Sequence, residues 1–300
     1  MQKSGFVSII GKPNVGKSTL LNNILNFKAS IVSPKPQTTR VNIYGYTVYK
    51  NKNNDDIQII FVDTPGYHKP VNHLSEAMIK QIKASLEDTD VILFLVDALS
   101  PFEEQDRNTI SIFQDINKPK ILAINKIDKL IDRKSVLTTI EEYTNLNIFN
   151  EIVPISAIKK INIDRLLEVI EKYLPEREHI DFGTVQPFLS NLKFYISEVI
   201  REKLFNFTHQ ELPYKTTVVV ENIEERPNNT LYISAIIFVE KESQKSIVIG
   251  KQGKMIKKIG TLAREELEML LGKKVYLDLW VKEKENWTSN TDFLRSLGYM

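Results

Sequence analysis

Between residues 5 and 155, short β-branched apolar runs alternate with longer stretches whose apolar positions recur at helical spacing. The runs at 5–10, 57–62 (IQIIFV), 91–96 (VILFLV), 120–124 (KILAI) and 152–155 (IVPI) read as strands, and the alternation marks βα units that build a parallel sheet. One run breaks the rhythm. Residues 41–49 (VNIYGYTVY) face 57–62 across the polar stretch Lys50–Asp56, which suits a hairpin, so one antiparallel edge strand is expected. After a helical segment at 163–173, Leu174–Pro187 carries two prolines, a glycine and charges without periodicity and reads as a linker. Beyond it the order becomes helix (188–206), strand (216–222), strand (230–238), helix (254–271) and strand (274–282), a separate α+β domain. The expected division is 1–176, a linker at 177–187, and 188–300. No internal repeat or low-complexity tract is found.

Composition changes this picture little. A chain of 300 residues suits about two domains at ~150 residues each. With 42% hydrophobic and 26% charged residues it has the make-up of an ordinary folded protein. The absence of cysteine excludes disulfides and thiolate metal sites and favours a cytoplasmic setting. No apolar run approaches the ~20 residues that span a bilayer and no signal segment is read, so any membrane contact is expected to be peripheral. A net charge of +2 gives no overall basic field, which leaves the case for a nucleic-acid partner to local clusters.

The chemistry is concentrated at the ends of the expected strands. Gly11-Lys12-Pro13-Asn14-Val15-Gly16-Lys17-Ser18, followed by Thr19, fits G-x-x-x-x-G-K-[ST] between a strand and a helix. Such a loop turns its backbone N–H groups on phosphate oxygens, brings Lys17 to the terminal phosphates and offers the Ser18 hydroxyl to Mg²⁺. A chance loop, or a kinase or ATPase loop, would share this pattern. Asp63-Thr64-Pro65-Gly66 closes the strand 57–62, where Asp63 could hold Mg²⁺ through water and the Gly66 N–H could meet a γ-phosphate; alone it would be an ordinary turn. Asn125-Lys126-Ile127-Asp128 follows the strand 120–124. A carboxylate at Asp128 accepts from guanine N1–H and its amine, a donor pair that adenine lacks, while Asn125 ties loops together and Lys126 covers the ring. Ser156-Ala157 stands where a backbone N–H could reach guanine O6. In the proline-bearing segment 33–40, Thr39 is preferred over Thr38 as a metal ligand made only with triphosphate bound.

In the second domain, Ile249-Gly250-Lys251-Gln252-Gly253-Lys254 supplies a G-x-x-G loop between an apolar run and a helix. Its glycines permit close approach to a single-stranded backbone, Lys251, Lys254, Lys257 and Lys258 neutralise phosphates, and Ile249 and Ile256 floor a base-sized groove. His68, His73, His179 and His209 lack metal-ligand spacing and read as surface or packing residues.

These motifs, in this order, resemble the Era family of bacterial GTPases over nearly the whole chain. GKPNVGKST, PQTTR at 36–40 and FLRSLGY at 293–299 sharpen the resemblance. It implies a Ras-like P-loop GTPase domain, mostly parallel with one antiparallel edge strand, followed by a smaller α+β KH domain of the second topological type. It further implies slow, Mg²⁺-dependent hydrolysis of GTP to GDP, with Lys17, Thr39 and Gly66 at the reacting phosphate. The partners implied are 16S rRNA near its 3′ end and the 30S subunit during assembly, with peripheral contact to the inner membrane, and the chain is expected to be a monomer. Tyr67 stands where Ras carries a water-orienting glutamine, so no general base is named. Asn14 could instead help hold K⁺ against the phosphates, as in related potassium-activated GTPases. Two other classes remain open on the residues: an RNA-binding protein with a structural nucleotide, and a membrane-acting GTPase of cell division.

Overall fold

The computed structural model describes residues 2–132, 135–177 and 191–300. Residues 178–187 of the expected linker, the first residues of the helix expected from 188, and His179 lie outside the described residues. Of those described, residues within 1–32, 39–71 and 75–188 form one compact unit, and those within 33–38, 72–74 and 189–300 form a second.

The first unit is an α/β layer structure. Its strands are β1 (Gln2–Ile10), β2 (Ile43–Lys50), β3 (Asp56–Asp63), β4 (Val91–Asp97), β5 (Lys120–Asn125), β6 (Glu151–Pro154) and the short β7 (Glu176–Arg177). The helices α1 (Lys17–Leu25), α2 (His73–Asp88), α3 (Glu104–Ile110), α4 (Ser135–Thr144) and α5 (Ile163–Tyr173) alternate with them. The sheet order is β2-β3-β1-β4-β5-β6, with β7 antiparallel to the start of β1. Only β2 runs antiparallel along the main path, paired with β3 from Ile43–Asp63 to Lys50–Asp56. Parallel strands covered on both faces read as unbroken apolar runs, and Val91 to Val96 are all buried. Phe94 is fully buried and meets Phe113 at 5.2 Å and stacks on Phe149 at 5.9 Å between ring centroids.

The second unit comprises α6 (Leu192–Phe207), β8 (Thr216–Glu225), β9 (Thr230–Val239), α7 (Glu242–Ile249), α8 (Lys254–Leu271), β10 (Lys274–Glu283) and α9 (Thr291–Ser296). Its sheet runs β10-β9-β8, with β9 antiparallel to β8 and parallel to β10. Leu231, Ile233, Ala235 and Ile237 of β9 are buried on the face that α8 covers, beside Leu277 and Leu279 of β10. Helix α7 adds an element to the order read from sequence. Its apolar end, Ile247-Val248-Ile249, has the β-branched look of a strand, but Gln244 Oε1 accepts from the N–H groups of Glu240 (3.0 Å) and Lys241 (3.1 Å) and caps a helix that starts ahead of it.

Candidate nucleotide site and nucleic-acid groove

Parallel strands deliver their C-terminal ends, and so the loops that follow them, to one edge of the sheet. The loop 11–16 leaves β1 there. Asn14 (φ 65°) and Gly16 (φ 106°) adopt left-handed backbone, and a Cβ on Gly16 would come within 2.3 Å of Asn125 Nδ2. Glycine is required at Gly11 as well, where a Cβ would fall 2.3 Å from the Leu95 carbonyl oxygen. Lys17 folds back over this loop and donates to the carbonyls of Gly11 (3.1 Å) and Lys12 (2.9 Å). Burial pushes its ammonium down to about 8, and the Asp63 carboxylate pulls it partly back. Lys12 turns away from this group: its Nζ donates to Asp106 Oδ2 at 2.8 Å, with both side chains buried.

Asp63, at the end of β3, is the centre of an oxygen cluster. Its Oδ2 accepts from the hydroxyls of Ser18 (2.7 Å), Ser30 (2.7 Å) and Thr39 (3.5 Å), and the Ser18 and Thr39 hydroxyls are 3.1 Å apart. Burial pushes the Asp63 carboxyl up, while Lys17 and the three hydroxyls pull it down. Its Oδ1 is buried with no hydrogen-bond partner. Two hydroxyls and a carboxylate with an orphaned oxygen form the donor set that suits a hard divalent cation. Of the two threonines left open by sequence, Thr39 joins this cluster and Thr38 donates to the Lys35 carbonyl instead. The Thr64 hydroxyl donates to the Ile9 carbonyl at 2.8 Å. Pro65 and Gly66 bring the chain against the phosphate loop: a Cβ on Gly66 would meet Pro13 Cα at 2.8 Å, and the Tyr67 N–H donates to the Gly11 carbonyl at 3.3 Å. His68 is held locally, its Nδ1 3.0 Å from the Gly66 carbonyl.

One amide ties the loops after β5 and β6 to each other and to the phosphate loop. Asn125 Nδ2 donates to the Val15 carbonyl and its Oδ1 accepts from the Ala157 N–H, each at 2.8 Å. Lys126 Nζ donates to the Asn14 carbonyl at 2.8 Å and pairs with Asp97 at 2.6 Å, which fixes its stem across the site. The Ser156 hydroxyl donates to Asp128 Oδ1 at 2.5 Å.

In the second unit the G-x-x-G loop joins α7 to α8. Gly250 (φ 73°) is crowded, since a Cβ would approach Met255 Cβ to 2.6 Å, whereas Gly253 (φ 72°) opens on free space. Lys251, Lys254, Lys257 and Lys258 are exposed, and Lys258 Nζ lies 4.1 Å above the Phe207 ring. A groove of about 300 Å³ runs between α8 and β10, lined by Ile256, Lys257, Gly260, Thr261, Arg264, Leu277 and Leu279. Ile249 is not among its lining residues.

Several of these residues were not singled out from sequence. Asp106 and Asp97 lie far from their lysines along the chain, Ser30 sits in an unremarked turn, and Arg264, Leu277 and Leu279 belong to plain amphipathic elements. Their only sequence signal is position on the same strand ends or helix face as a motif.

A phosphate loop, an Asp63-centred oxygen cluster and the Asn125–Lys126–Asp128 cluster on one sheet edge, followed by a G-x-x-G domain, define a P-loop GTPase joined to a KH domain. Family models agree: one described as a 50S ribosome-binding GTPase matches residues 6–126, and a KH-domain model matches 211–288. Among solved structures, the chain is similar to Era in complex with MgGDPNP and nucleotides 1506–1542 of 16S ribosomal RNA, with 42% identity, a TM-score of 0.93, and coverage of 100% of this chain and 99% of that one. It is equally similar to a variant of Aquifex aeolicus Era bound to GDP·AlF4⁻, with 42% identity, a TM-score of 0.93 and 99% coverage of each chain. The chain belongs to the Era family and is a GTP-hydrolysing enzyme.

Proposed function

We propose that this protein is a GTP-controlled switch that binds 16S rRNA near its 3′ end through its KH domain and assists assembly of the 30S subunit. The observation that carries the reading is the joining, in one chain, of the Ser18–Asp63–Thr39 cluster to a groove lined by Lys257 and Arg264 that follows a G-x-x-G loop with exposed lysines, in a relative of an Era solved with MgGDPNP and a 16S rRNA fragment together. The matched GTPase model names the 50S subunit but covers only the first domain, whereas the relative that spans the whole chain carries small-subunit RNA.

In this reading the backbone N–H groups of residues 11–19, Pro13 apart, and the Lys17 ammonium bind the β- and γ-phosphates and stabilise charge as it moves in the transition state. Mg²⁺ bound with the nucleotide would neutralise phosphate oxygens; Ser18 and Thr39 would ligate it and Asp63 would hold it through water. Thr64 and Pro65 fix the turn that presents the Gly66 N–H to the γ-phosphate. Asn125 fastens the base-side loops, Lys126 covers the guanine face, Asp128 accepts from its N1–H and amine, and the backbone at Ser156-Ala157 meets O6. Asn14 contributes to a K⁺ site; turnover that is equal in potassium and sodium removes that role. Residues 1–176 and 188–300 act as the two domains, with 177–187 as linker. No helix among the described residues is long and apolar enough to cross a membrane, and the proposed setting is a cytoplasmic monomer with peripheral contact at the inner membrane.

The test is RNA affinity at one fixed salt concentration, because phosphate contacts are salt-sensitive. A 16S 3′-end RNA should bind the complex with a non-hydrolysable GTP analogue more tightly than the GDP complex, and by reciprocity should raise GTP affinity equally. Gly253→Asp should abolish RNA binding and leave GDP binding intact. Equal affinity in the two nucleotide states refutes the switch.

A further inference from the structure

The KH sheet has a second face, opposite the groove, that no motif accounts for. Strand β10 lies at the sheet edge, so its odd residues Leu277 and Leu279 enter the groove while its even residues point the other way. Those even positions read Lys274, Tyr276, Asp278, Trp280, Lys282: cation, aromatic, acid, aromatic, cation.

The aromatic rings are exposed and held in place. Tyr276 is 56% and Trp280 59% exposed. Tyr276 stacks on Tyr232 of β9, with centroids 5.8 Å apart and planes at 19°, and Arg226 caps the pair at 4.4 Å from Tyr232 and 5.5 Å from Tyr276. Asp278 Oδ2 accepts from the Tyr232 hydroxyl at 3.1 Å and from the Trp280 indole N–H at 3.2 Å, so one carboxylate orients two rings. The far end of this face is closed by α9, where Phe293 packs on Phe238 at 5.2 Å. The open part is thus two aromatic stations four residues apart on one strand, about 13 Å along it, flanked by Lys274, Lys282 and Arg226.

We propose that this face is a second RNA-binding site, on which unpaired bases stack as the strand leaves the groove across edge strand β10. Exposed, preoriented aromatics among cations on a sheet are the means by which single-stranded RNA is held without dependence on sequence. The same strand lines both sites, which makes the two surfaces continuous. On this face the exposed charges at the β10 edge are cations and Asp278 is turned inward to the rings, while the exposed Glu224 stands opposite Tyr232 on β8, away from that edge. The proposal rests on RNA binding by the KH groove.

The two tryptophans make it measurable: Trp287 is fully buried, so exposed indole emission comes from Trp280. The intact protein is titrated with an unstructured 18-nucleotide RNA from the 3′ end of 16S rRNA, and with the six-nucleotide piece of it that binds tightest. The long RNA should quench Trp280. Trp280→Ala and Tyr276→Ala should each weaken the long RNA about tenfold, with the six-nucleotide RNA unaffected and Trp280→Phe close to the parent. If the short RNA binds but Trp280→Ala leaves long-RNA affinity and emission as in the parent, this face is not an RNA site and the groove stands. Emission that answers to a ribosomal protein and not to RNA overturns the proposal in favour of a protein surface. If neither RNA binds, the groove reading fails and this one with it.

Discussion

Replacing Asn125 with alanine should loosen three loops at once. The side chain is 3% exposed, and its amide satisfies the Val15 carbonyl and the Ala157 N–H, both on buried residues. Each backbone group left without a partner costs about 1–3 kcal/mol. Truncation also opens space that a water can enter to repair part of the loss, which places the total near the low end, about 2.8 kcal/mol. Asn125 holds the phosphate loop at Val15, so the loss should appear in nucleotide binding as a roughly hundredfold weaker GDP affinity. Displacement of a fluorescent GDP analogue measures it, with urea unfolding as the control for global stability. Asn125→Asp separates the bonds from the volume. It keeps an acceptor for Ala157 but sets a charged oxygen against the Val15 carbonyl, and should bind GDP no better than the alanine variant. An alanine variant within twofold of the parent, or an aspartate variant that matches it, refutes the reasoning.

Asp128→Asn should weaken GTP and favour xanthosine triphosphate, since the amide donates where xanthine presents a carbonyl; competition binding with the two nucleotides decides it. Asp106→Ala leaves the buried Lys12 ammonium without its 2.8 Å partner and should lower unfolding stability in urea by about 3 kcal/mol, while removing the charge on Lys12 as well should recover part of that. Glu240 is buried beside Lys215 (2.8 Å) and Thr288; burial opposes its charge, but those bonds outweigh it and hold the carboxyl below its ordinary value. Its stabilising effect is therefore present above pH 4.5 and lost as pH falls through the lowered value. Glu240→Gln should lower the thermal midpoint at pH 7, with the gap to the parent closing in acid.

How much of this could be read from residues depended on whether the informative contact was local. The apolar runs of β1, β3, β4 and β5 needed only their own composition to be seen, and parallel pairing then carried Gly11, Asp63 and Asn125 to one edge. The hairpin of β2 and β3 was legible because its polar turn lies between the two strands. Helix α7 was not, because Ile247-Val248-Ile249 has the composition of a strand and the Gln244 cap that starts the helix lies outside the run. Nothing local marks Lys12 as half of an ion pair, and only the fold brings in Asp106, 94 positions away. The choice between Thr38 and Thr39 likewise turned on which hydroxyl reaches Ser18.

The place of β1 in the sheet also bears on how the protein comes into being. Although β1 precedes the other strands in sequence, it lies between β3 and β4, so during synthesis it must wait for both neighbours. The β2–β3 hairpin can form first, from contacts a few residues apart, whereas the parallel pairings of β1 close long loops and come later. The clamp at Asn125 waits longer still, for Ala157 to reach it. At ~5–20 residues per second, the ~150 residues from β1 to that point occupy roughly 8–30 s of translation. For that interval the nascent chain is unable to grip GTP, and chains stalled short of Ala157 should fail to retain nucleotide that chains stalled well beyond it hold.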